Sequence, residues 1–216
     1  AERQDSVGID TNFSLVHAFN SDWDFRPNIM ADRLEEVGGE LTLTPWWGSD
    51  PLAPQVGLEL YGQGGSWRHP DSTSVKGDYV RASGLLRVAI PLAGASWRVG
   101  IEAGGGTSWG DAPRQRNWFL GGAQTLRGYE ASVLSGQSFT RGRLEIARTF
   151  PEAVTISAFG DAGWAGFRED FDAGEVLYGA GLGFSLLDGL IRMDFSHGLK
   201  GPEKRFRFDL YLDAIL

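Results

Sequence analysis

The chain has 216 residues, 20 basic and 28 acidic, giving a formal charge of −8, with no cysteine and 31 glycines. That glycine content is about 14 %, against the ~7 % typical of proteins. A cysteine-free chain has no disulfide framework, thiolate metal site or cysteine nucleophile, and an acidic chain without a Lys/Arg cluster is a poor nucleic-acid binder.

No stretch reaches the ~18 consecutive apolar residues of a membrane-spanning helix, which leaves a spanning barrel open. No basic, apolar leader opens the sequence. Ala1-Glu2-Arg3 reads either as a terminus left by leader removal or as the cut end of a longer chain.

Ten segments alternate with the two-residue period of a strand, near 5–19, 34–46, 55–67, 78–90, 96–106, 138–149, 154–164, 176–186, 191–196 and 205–216. In the fourth, Val80, Ala82, Leu86, Val88 and Ile90 oppose Arg81, Ser83 and Arg87. In the fifth, Trp97, Val99, Ile101 and Ala103 oppose Arg98, Gly100, Glu102 and Gly104. In the eighth the apolar set Val176, Tyr178, Ala180, Leu182, Phe184 and Leu186 faces away from Gly179, Gly181, Gly183 and Ser185. The ninth opposes Ile191, Met193 and Phe195 to Arg192, Asp194 and Ser196. The last sets Phe206, Phe208, Leu210, Leu212, Ala214 and Leu216 against Arg205, Arg207, Asp209, Tyr211 and Asp213.

The connections alternate in length. Those near 47–54, 91–95, 150–153 and 187–190 are short, three of them carrying Pro51, Pro91 or Pro151. Those near 20–33, 68–77, 107–137, 165–175 and 199–204 are mostly longer and polar. An antiparallel array with tight turns at one end and loops at the other is the pattern of an outer-membrane β-barrel. By that assignment, both chain ends lie on the periplasmic side. The strand lengths suit the ~9–11 residues of a tilted crossing, and Trp46, Trp47, Trp67, Trp109 and Trp164 sit near strand ends, where an interfacial girdle would hold them. The fold expected is an all-β antiparallel transmembrane barrel occupying 1–216 as one domain, with the alternative of a soluble all-β binding module.

The connection at 107–137 is far longer than the ~12–15 residues of an ordinary structureless loop. Its centre, Phe119-Leu-Gly-Gly-Ala-Gln-Thr-Leu-Arg-Gly-Tyr129, is too apolar for a solvated tail and requires an interior to fold into. Phe159, Asp161 and Gly163 share the lumen face of a later strand by parity.

Leu120-Gly121-Gly122 followed by Arg127-Gly128-Tyr129, with Phe159-x-Asp161-x-Gly163 after it, resembles the motif pair of the outer-membrane-protein-85 superfamily, also called the bacterial surface antigen family. This superfamily includes the assembly-machine, translocation-and-assembly-module and two-partner-secretion barrels. The likeness covers roughly 96–216 by pattern; upstream only strand periodicity agrees.

The resemblance implies a bacterial outer-membrane barrel that inserts or translocates polypeptides through a lateral seam between its first and last strands, with the loop tip folded into the lumen and Arg127 paired with Asp161. A guanidinium in a partly dry lumen needs such a planar carboxylate partner. Gly128 then allows close approach to the wall, and Tyr129 and Phe159 pack beside the pair. The seam strand would be the last, with Phe206, Phe208, Leu210, Leu212 and Leu216 outward.

The implied partners are outer-membrane lipid, lipopolysaccharide and polypeptide substrates, together with periplasmic POTRA domains or another chain completing the barrel; no cofactor or metal is implied. Family barrels have sixteen strands preceded by POTRA domains, whereas ten strands and no POTRA domain are legible here. The chain reads either as the C-terminal part of a longer protein or as one member of a composite barrel. It ends on Leu216, where the family's C-terminal strand commonly ends on an aromatic residue.

Catalysis is not expected. Gly179-Ala-Gly181-Leu-Gly183 lies inside an alternating strand with no helix after it, so it fails as a dinucleotide fingerprint. Gly104-Gly105-Gly106-Thr107-Ser108 lacks a phosphate-loop lysine. His17, His69 and His197 are scattered, and Ser196 and His197 point to opposite faces. A passive pore on the same fold is the remaining alternative.

Overall fold

The computed structural model describes residues 2–4, 31–92, 96–151, 153–172, 174–201 and 204–212; the strand expected at 5–19, and Leu216, lie outside them. In chain order the strands are β1 (Glu2–Gln4), β2 (Leu34–Leu43), β3 (Trp46–Trp47), β4 (Gln55–His69), β5 (Ser72–Leu92), β6 (Trp97–Gly110), β7 (Trp118–Leu120), β8 (Leu134–Gly136), β9 (Ser138–Phe150), β10 (Val154–Gly166), β11 (Leu177–Leu186), β12 (Ile191–Gly198) and β13 (Phe206–Leu212). Eleven of them form one antiparallel sheet, ten in the order β1-β2-β4-β5-β6-β9-β10-β11-β12-β13 and β3 paired to β4 beside that path. β7 and β8 pair with each other inside the connection between β6 and β9.

The two faces of this sheet invert the usual rule of apolar inside and polar outside. Leu144, Leu182, Phe195 and Leu210 are more than half exposed on the outer face, whereas Asp161 and Asp194 are buried on the inner one. Soluble domains bury such residues the other way round, and a lipid-facing barrel wall produces this arrangement directly. A cavity of about 1200 Å³ is lined from both ends of the sheet, by Glu59 of β4 and Arg87 of β5 as well as by Arg192 of β12 and Tyr211 of β13. The sheet therefore curls round an interior. Among the described residues no strand pairs with the outer edge of β13.

Three expectations are corrected. The connection at 68–77 is not a long loop: β4 and β5 continue through it to a two-residue turn, with Ser66, Trp67 and Arg68 paired to Asp78, Gly77 and Lys76. Backbone pairing needs no apolar face, so the strands outrun the hydrophobic stripe that betrays them in sequence. The strand read as 34–46 breaks at Thr44–Pro45 and resumes as β3, because proline offers no N–H to the ladder. Trp46 and Trp47 pair with Gly57 and Val56, so the register of β2 on β4 carries straight across the break.

The third concerns the girdle. Trp46, Trp47 and Trp109 are exposed near strand ends and Trp67 is half-buried, but Trp164 is covered. The connection after β10 folds over it, placing Phe171 edge-on at 4.9 Å and Gly174 against its indole nitrogen. Periodicity places Trp164 outward correctly; it says nothing of a loop returning over the same face.

Candidate functional site

The long connection forms the site. After β6 the chain makes a 3-10 turn at Arg114–Arg116, runs down β7, turns at 121–130 and returns as β8, packing on the inner face of β10. Gly121 and Gly122 have φ of +130° and +80°, values that side-chain-bearing residues rarely adopt, and they start the tight turn. Thr125 Oγ1 closes it, accepting from Gly121 N–H and donating to the Gly121 carbonyl at 2.8 Å each. Leu120 is buried against Gly163, where a Cβ would stand 3.1 Å from Leu120 Cδ1.

Arg127 is 1 % exposed at the tip. Its Nε and Nη2 donate to Asp161 Oδ2 and Oδ1 at 2.9 and 2.8 Å, and its backbone N–H adds a third bond to Oδ2 at 2.9 Å. Such a planar fork on a carboxylate is a geometry lysine cannot supply. Nη1 donates to Glu145 Oε2 at 2.8 Å and lies 3.6 Å from Asp194 Oδ2. The guanidinium carbon sits 3.4 Å from the Phe159 ring centroid, a desolvated cation-π contact. Burial opposes the charge on Arg127, but the hydrogen bond and charge of Asp161, then those of Glu145, outweigh it and hold the pKa above the ordinary guanidinium value.

The carboxylates are shared with two further arginines. Arg143 lies 3.3 Å from Asp161 Oδ1, and Arg192 donates to Glu145 at 2.8 Å and to Asp194 at 3.0 Å. Tyr211 of β13 donates to Asp194 Oδ2 at 2.7 Å. Three arginines thus face three carboxylates, a charge-balanced network, which is how buried ions avoid the desolvation cost of standing alone. Glu145, Arg143, Arg192, Asp194 and Tyr211 were not among the expected site residues. Each lies on the polar parity of its strand, a signal that puts it on the inner wall without naming its partner.

Gly128, with φ +89°, lies so close to β12 that a Cβ would stand 2.7 Å from the His197 carbonyl carbon and 2.9 Å from Gly198 N. Tyr129 does not pack beside the ion pair. Its fully buried ring joins Leu126 and Leu177, and its hydroxyl lies 2.6 Å from the Tyr178 and Lys200 carbonyls, accepting from Lys200 N–H at 3.2 Å. Phe206, Phe208, Leu210 and Leu212 all point outward on β13, each more than half exposed.

The wall glycines explain how a loop fits here. A Cβ on Gly179 would collide with the Arg127 carbonyl oxygen, one on Gly181 with the Phe195 carbonyl and the Phe159 ring, and one on Gly183 with Asp194 at 2.8 Å. Gly100 differs, with its nearest neighbour at 4.0 Å. Among the described residues no group of three or more His, Asp or Glu side chains is placed to hold a metal ion.

No protein-family model matches the sequence, and no curated protein is found similar to it. Among solved structures the chain is similar to BamA from Haemophilus ducreyi lacking POTRA domains 1-3, at 13 % identity and a TM-score of 0.54, over 82 % of this chain and 54 % of that one. CdiB from Acinetobacter baumannii is matched at 14 % identity and a TM-score of 0.42, over 82 % of this chain and 42 % of that one. The chain spans about half the length of the BamA chain it matches. The likeness is one of fold: the chain is an antiparallel, barrel-like sheet similar to part of that BamA structure.

Proposed function

We propose that this chain is barrel wall and loop of a bacterial outer-membrane protein that inserts or translocates polypeptides, with no bond-making chemistry of its own. The observation that carries the reading is the loop seated in the lumen by Arg127, in a sheet whose last strand has an unpaired edge among the described residues. A free edge offers N–H and C=O groups that can template an incoming strand, and the seated loop blocks the lumen until it is displaced. Polypeptide substrates, outer-membrane lipid and lipopolysaccharide, and POTRA domains or a completing chain are the partners this reading requires.

In a strain depleted of the native protein, Arg127→Ala and Asp161→Ala should each impair assembly or secretion; unchanged activity in both removes the proposed role. A passive pore would instead show a large, steady single-channel conductance, whereas the seated loop favours a closed lumen with rare openings.

The membrane setting has its own test. Leu182 is 59 % exposed at the middle of β11. On a water-facing surface Leu182→Arg would change stability by no more than ~0.5 kcal/mol, while at a bilayer midplane it costs ~2–4 kcal/mol. The larger value is expected from denaturant titration in lipid vesicles, and the smaller one would return the protein to the soluble all-β reading.

A further inference from the structure

The loop holds the wall at a second place, far from Arg127. Its first limb is clamped to the opposite half of the sheet. Arg116 donates through Nε and Nη2 to Glu36 Oε2 at 3.2 and 2.9 Å, and Glu36, only 5 % exposed on β2, accepts also from the Tyr79 hydroxyl of β5. The side-chain amide of the adjacent Gln115 pairs with both backbone groups of Asp32, accepting from its N–H and donating to its carbonyl at 3.0 Å each. Arg114 N–H donates to the Asp32 carboxylate at 3.0 Å. Trp118 follows at once, stacked under Arg81 at 4.0 Å and against Phe139 at 4.8 Å.

The loop leaves the sheet at its centre, between β6 and β9, and reaches outward both ways. One limb grips β2, three strands along in one direction. The other grips β10 to β12 through Arg127 and Tyr129 and touches β13, four strands along in the other, through Glu130 and Arg207 at 3.7 Å. A chain tied to both halves of a curled sheet limits how far they can part.

The geometry points to a cross-lumen strap: Glu36, Tyr79 and Arg116 form a second anchor that holds the loop against the first strands, and seating at this anchor and at the Arg127 anchor is energetically coupled. Neither site touches the other, so the coupling runs through the short β7–β8 hairpin, and by linkage each anchor must strengthen the other equally. Arg116 and Glu36 are positioning residues here, whatever the loop's seating is used for, so the inference stands apart from the proposed function.

The absence of native cysteine makes the test direct. Ser196 is 1 % exposed on the inner face of β12, beside the contact of Gly128 with His197 and Gly198, and its hydroxyl has no hydrogen-bond partner among the described residues. Ser196→Cys is therefore a near-isosteric reporter for the seat of the tip. In the full chain, in detergent or lipid, labelling of the introduced thiol by a hydrophilic maleimide is measured in Ser196→Cys alone and combined with Glu36→Gln, Arg116→Lys or Gln115→Ala. Glu36→Gln keeps a partner for Tyr79, and the two loop-side variants keep the test alive if it fails to fold.

Loss of a charged hydrogen bond predicts labelling faster by about tenfold or more in Glu36→Gln and Arg116→Lys. Combining either with Arg127→Lys should give less than the product of the separate effects. Unchanged labelling of the Ser196→Cys thiol while amide hydrogen exchange rises at 111–117 would overturn the strap and reduce the cluster to a local pin; multiplicative effects in the combined variants would overturn the coupling.

Discussion

Arg127→Ala is expected to cost the folded chain ~3–5 kcal/mol, because it leaves the buried Asp161 without its two-pronged partner and Glu145 with Arg192 alone. Asp161→Ala should cost less, since Arg127 keeps Glu145 at 2.8 Å and Asp194 at 3.6 Å, although Arg143 loses its carboxylate. The double variant should be markedly less destabilised than the sum of the two, the signature of groups that are costly alone and satisfied together. Arg127→Lys is expected to fall nearer to alanine than to wild type, because an ammonium cannot form the two-pronged contact with Asp161 or lie flat on Phe159. Denaturant titration of the four chains measures all of this; simple additivity would show that the pair is not the unit that seats the loop.

Gly179→Val is expected to unseat the loop as thoroughly as the loss of Arg127, through sterics instead of charge. A Cβ there would collide with the Arg127 carbonyl oxygen, so the tip must lift or β11 must move. Gly100→Ala on the same inner face is the control: its Cβ would meet nothing closer than 4.0 Å, and a near-neutral effect is expected. Protease sensitivity of 111–137 should rise sharply in the first and stay at the wild-type level in the second. Equal sensitivity would mean that the wall glycines are chosen for backbone freedom and not for the space they leave. The contrast sharpens the composition, since glycines on one face of alternating strands do different work according to whether the plug lies over them.

Strand parity was sufficient to place Phe159, Asp161 and Gly163 on one face of their strand and Arg192 and Asp194 together on one face of theirs, since a period of two leaves no choice once a strand exists. It was insufficient for partners. Glu145 lies 18 residues from Arg127 and Asp194 lies further still; nothing in local spacing selects them over Glu102 or Asp209, which share the inner wall. The second cluster was less legible. Arg116 stands in a polar run that reads as solvated loop, and its acceptor Glu36 is 80 residues upstream. Where apolar patterning stops, so does legibility, as the extension of β4 and β5 through 68–77 and the covered Trp164 both show.

By itself, then, the sequence determined the local order of the chain: the strands, which side of each is apolar, where the long connection falls, and that this connection needs an interior. Those are consequences of side-chain period and turn chemistry, which act over a few residues. Only the tertiary structure decided that the interior is a lumen shared by β4 and β12, which three carboxylates divide three arginines among them, and that the loop is held at Glu36 as well as at Asp161. Those depend on the curl of the sheet and on the desolvation of charges from opposite halves of it, and both arise only when distant strands are brought together.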